Sequence, residues 1–432
     1  MSREMINSGV DWIGNIPSHW ELHRARFMFK QSTTKGNERL VLLSATQDRG
    51  VVDKSTLDSV VQVAEDADLS LFKTVHKNDF VISLRSFQGG FEISHEEGVI
   101  SPAYTVFRLT KQDYPHYYRY LFKCSGFIDK INSLTVGIRE GKNIQYVDFS
   151  NMLLPYFSLA EQQKIASFLD RKCAEIDEMI ALQEKIVEEL KAYKQSVITE
   201  TVTKGLNPDV PMKDSGIEWI GEIPEHWEVH PFKVFYKTTK GLNITKDNLV
   251  ESGVPVISYG QIHSKQNTGT SVCEELIRYV PTDYVETNPE CLSRKYDIFF
   301  ADTSEDREGA GNIAFIDVDT PIFAGYHTIM AHPSDRAKSK YFAYLIKTDA
   351  WRCQLRCRVQ GVKLFSISQK FINQTAIVVP PMFEQTQISE YLDGRCSEID
   401  GLISIKLSKI DSLKECKKSI IYEYVTGKKE VI

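Results

Sequence analysis

The feature of this sequence that most constrains its fold is an internal duplication. Residues 8–21 read SGVDWIGNIPSHWE and residues 215–228 read SGIEWIGEIPEHWE, so ten of the fourteen positions are identical. Four of the five tryptophans of the chain lie in these two copies. An identity of this length between distant segments does not arise by chance. The chain therefore consists of two units related by duplication.

A second pair of repeats predicts two long helices. It reads LPYFSLAEQQKIASFLDRKCAEIDEMI at 154–180 and VPPMFEQTQISEYLDGRCSEIDGLI at 379–403, with apolar residues at steps of three or four. The first helix would cover 161–203, a rod about 64 Å long. Ser158 and Glu161 predict a capping box at its start, which the second copy lacks because it has Pro381. Since the chain carries both helices, we expect them to pack as an antiparallel coiled coil with pseudo-two-fold symmetry.

The segments between these repeats barely align, and both have mixed helix and strand patterns. Helical runs are predicted at 114–131 and 338–355, and strands at Leu40–Leu43, Phe80–Leu84, Tyr104–Leu109, Val254–Ser258, Asp297–Ala301 and Ile313–Ile316. The predicted fold class is α+β, with two α/β domains separated by the two long helices. The domain boundaries that we expect are 1–155, 156–205, 206–380 and 381–432.

Composition is that of a folded soluble protein, with 42% hydrophobic and 25% charged residues among 432. The start, MSREMINSGVDW, has no apolar core of a signal peptide, and the sequence has no apolar run of roughly 20 residues. We therefore expect a cytoplasmic location. The eight cysteines are scattered without a CxxC pair, which favours packed thiols over disulfides or a metal site.

Motifs of catalysis are missing from the sequence. GIREGKN at 137–143 lacks the spacing of a phosphate-binding loop, and neither Asn288-Pro289-Glu290 nor Pro380-Pro381-Met382 is the motif of an amino-group methyltransferase. His19 and His226 lie in the Trp-rich repeat, where a structural role is the better interpretation. We predict that the chain is a binding subunit without catalytic residues or a metal site.

Basic residues are concentrated at equivalent places in the two halves. Six basic residues and one acidic residue lie between Lys347 and Lys370, and seven basic and three acidic residues lie between Arg108 and Lys142. Together with the Gly-containing loops at 85–92 and 302–312, they predict contacts to DNA phosphates and base edges. For any single residue, a solvated helix face is the alternative. The candidate DNA-binding residues are Arg85, Gln88, Arg139, Lys142, Asn143, Arg307, Arg352, Arg356, Arg358 and Lys363.

With two Trp-rich blocks and two helices that each begin near Glu-Gln, the whole chain resembles the specificity subunit of type I restriction–modification enzymes. The resemblance implies two target-recognition domains, each reading one half of an asymmetric, split site in double-stranded DNA, with the helices as a spacer. It also implies two modification (methyltransferase) subunits and two restriction (translocase) subunits as partners. S-adenosylmethionine, ATP and Mg²⁺ would belong to those partners. The assembled complex would be a site-specific DNA adenine methyltransferase and endonuclease.

Three other interpretations remain open at this point. The chain could be a helical scaffold or adaptor without sequence-specific DNA contact, which explains the helices but not the two divergent basic domains. It could be the specificity subunit of a system that only methylates. A stand-alone enzyme is the third, and the missing motifs argue against it.

Overall fold

A computed structural model describes residues 3–36, 40–47, 49–57, 68–83, 90–110, 113–134, 144–359 and 364–431. The chain divides into two compact units. The first unit contains Met1–Lys185 and Leu407–Ile432, and the second contains Ile186–Lys406. Each unit therefore holds part of both long helices.

The described part of the first unit contains short strands, three short α-helices and parts of the long helices. Its strands are β1 Met5–Asn7, β2 Asn15–Pro17, β3 Glu21–Arg24, β4 Phe29–Ser32, β5 Leu43–Thr46, β6 Gly50–Asp53, β7 Lys73–Val75, β8 Phe80–Ile82, β9 Phe91–Ile93, β10 Gly98–Ile100, β11 Thr105–Leu109 and β12 Leu153–Tyr156. Its short helices are α1 Pro115–Leu121, α2 Ser125–Leu134 and α3 Tyr146–Asn151. The long helix α4, Leu159–Lys204, begins in this unit.

The second unit repeats this construction with longer connections. Its strands are β13 Met212–Asp214, β14 Glu222–Pro224, β15 Glu228–Pro231, β16 Tyr236–Lys240, β17 Val254–Ile257, β18 Arg278–Val280, β19 Ile298–Ala301, β20 Thr303–Ser304, β21 Ile313–Phe315, β22 Phe323–Ala324, β23 Thr328–Pro333, β24 Phe365–Ser366 and β25 Ala376–Val379. Its short helices are α5 Phe232–Phe235, α6 Tyr259–Ile262, α7 Tyr284–Thr287, α8 Tyr341–Lys347, α9 Asp349–Arg356 and α10 Gln369–Asn373. The second long helix is α11, Met382–Val425.

Each unit has a four-stranded antiparallel sheet of the same topology. The strand order is β4-β11-β8-β9 in the first unit and β16-β23-β19-β21 in the second. The residue two positions before β8 and the residue two positions before β19 both have a positive φ, Asn78 at 71° and Tyr296 at 76°. A buried aspartate follows each of them, Asp79 and Asp297. The duplication therefore extends into the segments whose sequences barely align.

Most predicted strands are confirmed to within two residues. The exception is the run Leu40–Leu43, where the strand covers Leu43–Thr46 because it forms a hairpin with Gly50–Asp53. Each predicted helical run is divided into two helices, α1 with α2 and α8 with α9. In the second unit the division falls at Thr348, whose Oγ1 accepts a hydrogen bond from the backbone N–H of Trp351 at 3.2 Å and so starts a new helix.

The two long helices pack antiparallel in both units, which confirms the predicted fold class. In the first unit, Asp177 of α4 pairs with Lys417 of α11 at 2.6 Å. In the second unit the roles are exchanged, and Lys194 of α4 pairs with Asp400 of α11 at 2.6 Å. The buried positions recur every eleven residues, at Ile165, Ile176, Val187 and Ile198 in α4 and at Ile388, Ile399, Ile410 and Ile421 in α11. An eleven-residue period favours straight or slightly right-handed helix pairs over the heptad type.

The Trp-rich block of each half ties the domain to the start of a long helix. Trp20 is buried, and its Nε1 donates a hydrogen bond to Oε1 of Glu161 at 3.2 Å. Trp227 is buried too, and its Nε1 donates to Oε2 of Glu384 at 2.9 Å. The same two glutamates are paired with His19 at 3.0 Å and with His226 at 2.7 Å. His19 and His226 therefore have structural partners.

The repeated Gln, Leu and Asp residues of the helix starts also have equivalent contacts. Leu169 and Leu392 are buried in the cores of their units. Asp170 accepts a hydrogen bond from the hydroxyl of Tyr120 at 2.7 Å, and Asp393 accepts one from Tyr344 at 2.5 Å. Gln162 and Gln385 each donate to the backbone carbonyl five residues before them. The residues that repeat in the sequence are thus those that join each domain to the helices.

One local prediction differs from the structure, and one repeated residue differs between the units. Ser158 does cap α4, since its Oγ accepts from the backbone N–H of Glu161 at 3.3 Å. The Glu161 side chain, however, contacts Trp20 and His19 and does not complete a capping box. Trp12 is buried, whereas Trp219 at the equivalent place is 44% exposed. A Cβ on Gly126 would lie 2.8 Å from the Trp12 carbonyl oxygen, and the second unit has Ala350 there.

Candidate nucleic-acid interface

Basic side chains of the second unit meet between helix α9 and the loop 302–312 that follows strand β19. Helix α9 is anchored by Trp351, whose indole is fully buried and whose Nε1 donates to the Ala376 carbonyl at 3.0 Å. Its Arg352 Nε donates to the Ala310 carbonyl of the loop at 3.3 Å, and Arg356 Nη2 donates to the Glu308 carbonyl at 2.7 Å. The structure thus brings together three residues that the sequence pointed to, because Arg307 Nε donates to the Arg356 carbonyl at 3.0 Å.

Arg352 and Arg356 use much of their hydrogen-bonding capacity to hold this loop. Arg352 Nη2 also donates to the Glu308 carbonyl, and Arg356 Nη1 pairs with Asp349 at 2.7 Å. Burial, and then the positive charge of Arg356, lower the pKa of Arg352 to about 10. The guanidinium groups of Arg352 and Arg356 therefore hold loop 302–312 in place. A contact to DNA would be additional to this structural role.

Arg307 and Arg358 are the exposed members of the group. An exposed guanidinium can contact a phosphate or the O6 and N7 atoms of a guanine. The loop also carries exposed Glu305, Asp306 and Glu308, so the patch is mixed in charge.

The other predicted DNA-binding residues lie outside the described residues. They are Arg85, Gln88, Arg139, Lys142, Asn143 and Lys363. These six stay predictions from the sequence.

The first unit contains a cleft of about 1120 Å³ between its sheet and the two long helices. Charged residues line it, and most of them are paired. Arg119 pairs with Asp170, Lys123 pairs with Glu92 at 2.5 Å and Lys417 pairs with Asp177 at 2.6 Å. Six basic and five acidic side chains line this cleft, so its charge is close to neutral and gives little preference for an anion.

A smaller pocket in the second unit was missed by sequence reasoning. It has a volume of about 90 Å³ and is lined by Lys347 and Arg352 together with polar side chains of Asn267, Thr268 and Asn312. Lys347 counted in the sequence only as one member of a basic run. The strings YLFK at 120–123 and YLIK at 344–347 are the signal that marks Lys347 as the counterpart of Lys123.

Further observations concern membranes, metals and thiols. Within the part of the chain that the structure describes, helices long and apolar enough to span a membrane are absent. Groups of three or more His, Cys, Asp or Glu side chains that could hold a metal are absent from the same residues. All eight cysteines are free thiols, and Cys124, Cys173, Cys291 and Cys396 are buried.

The fold is therefore that of a duplicated protein in which each unit has an α/β domain and part of two long antiparallel helices. The family model for the type I restriction modification DNA specificity domain matches residues 224–426. Residues 224–426 therefore match a type I restriction modification DNA specificity domain, and about two thirds of the chain is similar to type I restriction enzyme specificity subunits.

Known relatives and a solved structure agree with this family. The chain is similar to the type I restriction enzyme MjaVIII specificity subunit of Methanocaldococcus jannaschii, with 26% identity over 67% of this chain and 65% of the relative. It is 25% identical to the StySPI specificity subunit of Salmonella potsdam, over 70% of this chain and 63% of the relative. Both matches span less than two thirds of the relative's length. A solved chain from a type I R-M system has the same fold, with a TM-score of 0.70 at 13% identity over 95% of this chain and 98% of that chain.

Proposed function

We propose that this chain is the DNA sequence-specificity subunit of a type I restriction–modification system and binds a bipartite, asymmetric site in double-stranded DNA. Each unit would read one half-site, and the paired helices would fix the distance between the half-sites. The observation that carries the proposal is the difference between the parts of the duplicated chain that repeat and the parts that diverge. The residues that join domains to helices are the same in both units, whereas the side chains around α9 and its counterpart α2 differ. A duplicated frame with divergent surfaces suits a target with two unlike halves.

The exposed arginines of the second unit support contact with the DNA backbone. Each phosphate that a protein cation neutralises releases counterions, which makes binding favourable at low salt. Phosphate contacts alone carry no sequence information, so base reading requires side chains that enter a groove. Arg307 and Arg358 are suited to either role because both are exposed.

We propose further that catalysis resides in partner subunits. Two modification subunits would dock on this chain, and two restriction subunits would complete an endonuclease. S-adenosylmethionine, ATP and Mg²⁺ would be bound by those partners. The purified chain, mixed with DNA and all three cofactors, should then give neither methylated nor cleaved product.

Methylation mapping tests the proposal. The chain is expressed with its modification subunits in a host that lacks them, and methylated adenines are located by single-molecule sequencing. One split, asymmetric motif should appear, and the control strain without this chain should lack it. A methylation pattern that is the same in both strains would contradict the proposal and favour the helical adaptor.

A further inference from the structure

Lys123 and Lys347 hold equivalent places in the two units. Each lies three residues after a tyrosine whose hydroxyl donates to an aspartate of a long helix, Tyr120 to Asp170 and Tyr344 to Asp393. Lys123 lies two residues after the end of α1, and Lys347 is the last residue of α8. The two lysines are therefore at equivalent positions of the duplicated fold.

The two lysines differ in their counterions. In the first unit, Lys123 Nζ lies 2.5 Å from Oε1 of Glu92, a buried residue of strand β9. The strand registers identify the residue that takes this place in the second unit. Val81 of β8 and Phe299 of β19 are equivalent, because each lies two residues after the equivalent aspartates Asp79 and Asp297. Glu92 is paired with Val81, and Ala314 is paired with Phe299. The duplication has thus kept the lysine and replaced its carboxylate by the fully buried Ala314.

Lys347 is left with an uncompensated charge. Among the residues with described positions, its ammonium makes no hydrogen bond and no ion pair. Burial, and then the positive charge of Lys194, lower its pKa to about 8, and Arg352 acts in the same direction. Cys396 and Asp400 act in the opposite direction, but Asp400 is already paired with Lys194 at 2.6 Å. Lys347 is partly exposed, so its ammonium can bind an anion from outside the chain.

The pocket around Lys347 has the size of a small anion. Its volume of about 90 Å³ leaves room for a small oxyanion. Gly269 and Gly311 line it with positive φ, a backbone conformation that favours glycine. A Cβ on Gly269 would lie 3.6 Å from Cδ of Lys347, and one on Gly311 would lie 3.7 Å from Nε of Arg352.

We propose that this pocket of the second unit binds one phosphate-type oxyanion, with Lys347 as its main cation and Arg352 beside it. A charge-assisted hydrogen bond from the Lys347 ammonium to the oxyanion would correspond to the one that Lys123 donates to Glu92 in the first unit. The oxyanion is either a phosphodiester of DNA, which rests on the proposed function, or free inorganic phosphate. The first unit should have no such site, because Glu92 occupies it.

Titration of the full chain with inorganic phosphate at constant ionic strength tests the pocket. The variants are Ala314→Glu, which supplies the missing carboxylate, and Lys347→Met, which keeps the shape and removes the charge. The control is Lys246→Met, an exposed lysine of the same unit that does not line the pocket. Wild type and control should bind phosphate at one site, and both pocket variants should bind it at least tenfold more weakly. The Lys347→Met arm stays informative if Ala314→Glu does not fold.

Binding to the mapped DNA site at several salt concentrations identifies the source of the oxyanion. A salt slope smaller by about one in Lys347→Met than in Lys246→Met supports a DNA phosphodiester. An unchanged slope, together with phosphate binding that wild type shows and Lys347→Met loses, supports free phosphate. If the chain assembled with its modification subunits binds no DNA while wild type still binds phosphate, the proposed function is refuted and the pocket is supported. Equal phosphate affinity and equal salt slopes in wild type and both pocket variants would overturn the pocket.

Discussion

Glu384 connects two kinds of information in this chain, since it belongs to a sequence repeat and accepts two hydrogen bonds in the structure. Its carboxylate binds Nε1 of Trp227 at 2.9 Å and Nε2 of His226 at 2.7 Å. Trp227 is fully buried, so its N–H has no access to water as a replacement. The glutamate is therefore required by the tryptophan, which explains why both repeat together.

Replacing Glu384 by alanine should lower the free energy of unfolding. The buried indole N–H of Trp227 would lose its acceptor, at a cost of about 1–3 kcal/mol. Urea unfolding followed by tryptophan fluorescence measures this change. Glu390→Ala, at an exposed position on the same helix, is the matched control and should change stability by less than about 0.5 kcal/mol. Equal effects of the two substitutions would show that the Glu384 tie is unimportant.

Lys347→Met should raise the free energy of unfolding in phosphate-free buffer at pH 7, by about 1–3 kcal/mol, because it removes a partly buried charge without a counterion. The pKa of Lys347 is lowered to about 8 in the folded chain from 10.5. Between these pH values the unfolded chain binds more protons, so wild-type stability rises with pH relative to the variant. The gain from the substitution should be complete below pH 8 and vanish above about pH 10.5.

Urea unfolding at pH 7, 9 and 10.5 measures this difference. Lys246→Met corrects for the other groups that titrate in this range, because its lysine is exposed. The groups that face Lys347 are Lys194, Arg352, Asp400 and Cys396, and all are unchanged in the variant. A stability difference that is independent of pH would contradict the lowered pKa.

At the scale of elements, the long helices were predictable because their signal is periodic and uninterrupted. The structure places α4 at Leu159–Lys204 against a predicted 161–203. The burial of individual positions was less predictable. Val197 and Ile198 are both apolar, as are Ile420 and Ile421, and of these Ile198 and Ile421 are the buried ones. A period slightly longer than 3.6 residues accumulates to one position over such a length.

The sheets and the anion pocket were less accessible from the sequence. Strands β8 and β19 share topology and register, yet they share few residues because only burial is required of their side chains. The relation between Glu92 and Ala314 depends on strand register, which a single sequence does not specify across divergent loops. Trp12 is buried and Trp219 is 44% exposed although they hold the same place in the sequence repeat, so the repeat alone did not predict their burial.

Shortening both helices should shorten the gap in the DNA site. Removing residues 184–187 from α4 and 407–410 from α11 takes out about 6 Å, which corresponds to about two base pairs. The deletions face each other if the pairs Asp177–Lys417 and Asp400–Lys194 keep their register. Methylation mapping should then find the same half-sites with a gap shorter by about two base pairs, and an unchanged gap would exclude the helices as a spacer.

A deletion in α4 alone is the control for this experiment. It leaves α11 at full length, so the two ion pairs and the buried isoleucine positions can no longer be satisfied together. We expect this variant to unfold at lower urea concentration than the matched double deletion. Equal stability of the single and double deletions would mean that the helices do not act as one paired element.

Across the whole molecule, the residues that join each domain to the helices repeat, and the residues on the domain surfaces differ. Ties such as Trp227–Glu384 and Asp400–Lys194 must repeat so that both units join the helices in the same way. The loops and α9 are free to diverge, because their contacts stay within one unit. Under the proposed function, a change in one domain would alter one half of the target and leave the other half and the helices intact.

This separation predicts that basic side chains act on one half-site each. Arg139→Ala in the first half, and Lys363→Ala or Arg358→Ala in the second, should each weaken binding by about 1–3 kcal/mol where a base contact is lost. Footprints of the assembled methyltransferase on its mapped site should lose protection at one half-site, and at opposite half-sites for Arg139→Ala and Lys363→Ala. Lys246→Ala should leave both footprints intact. Uniform weakening of both half-sites by every variant would mean that the units do not read DNA independently.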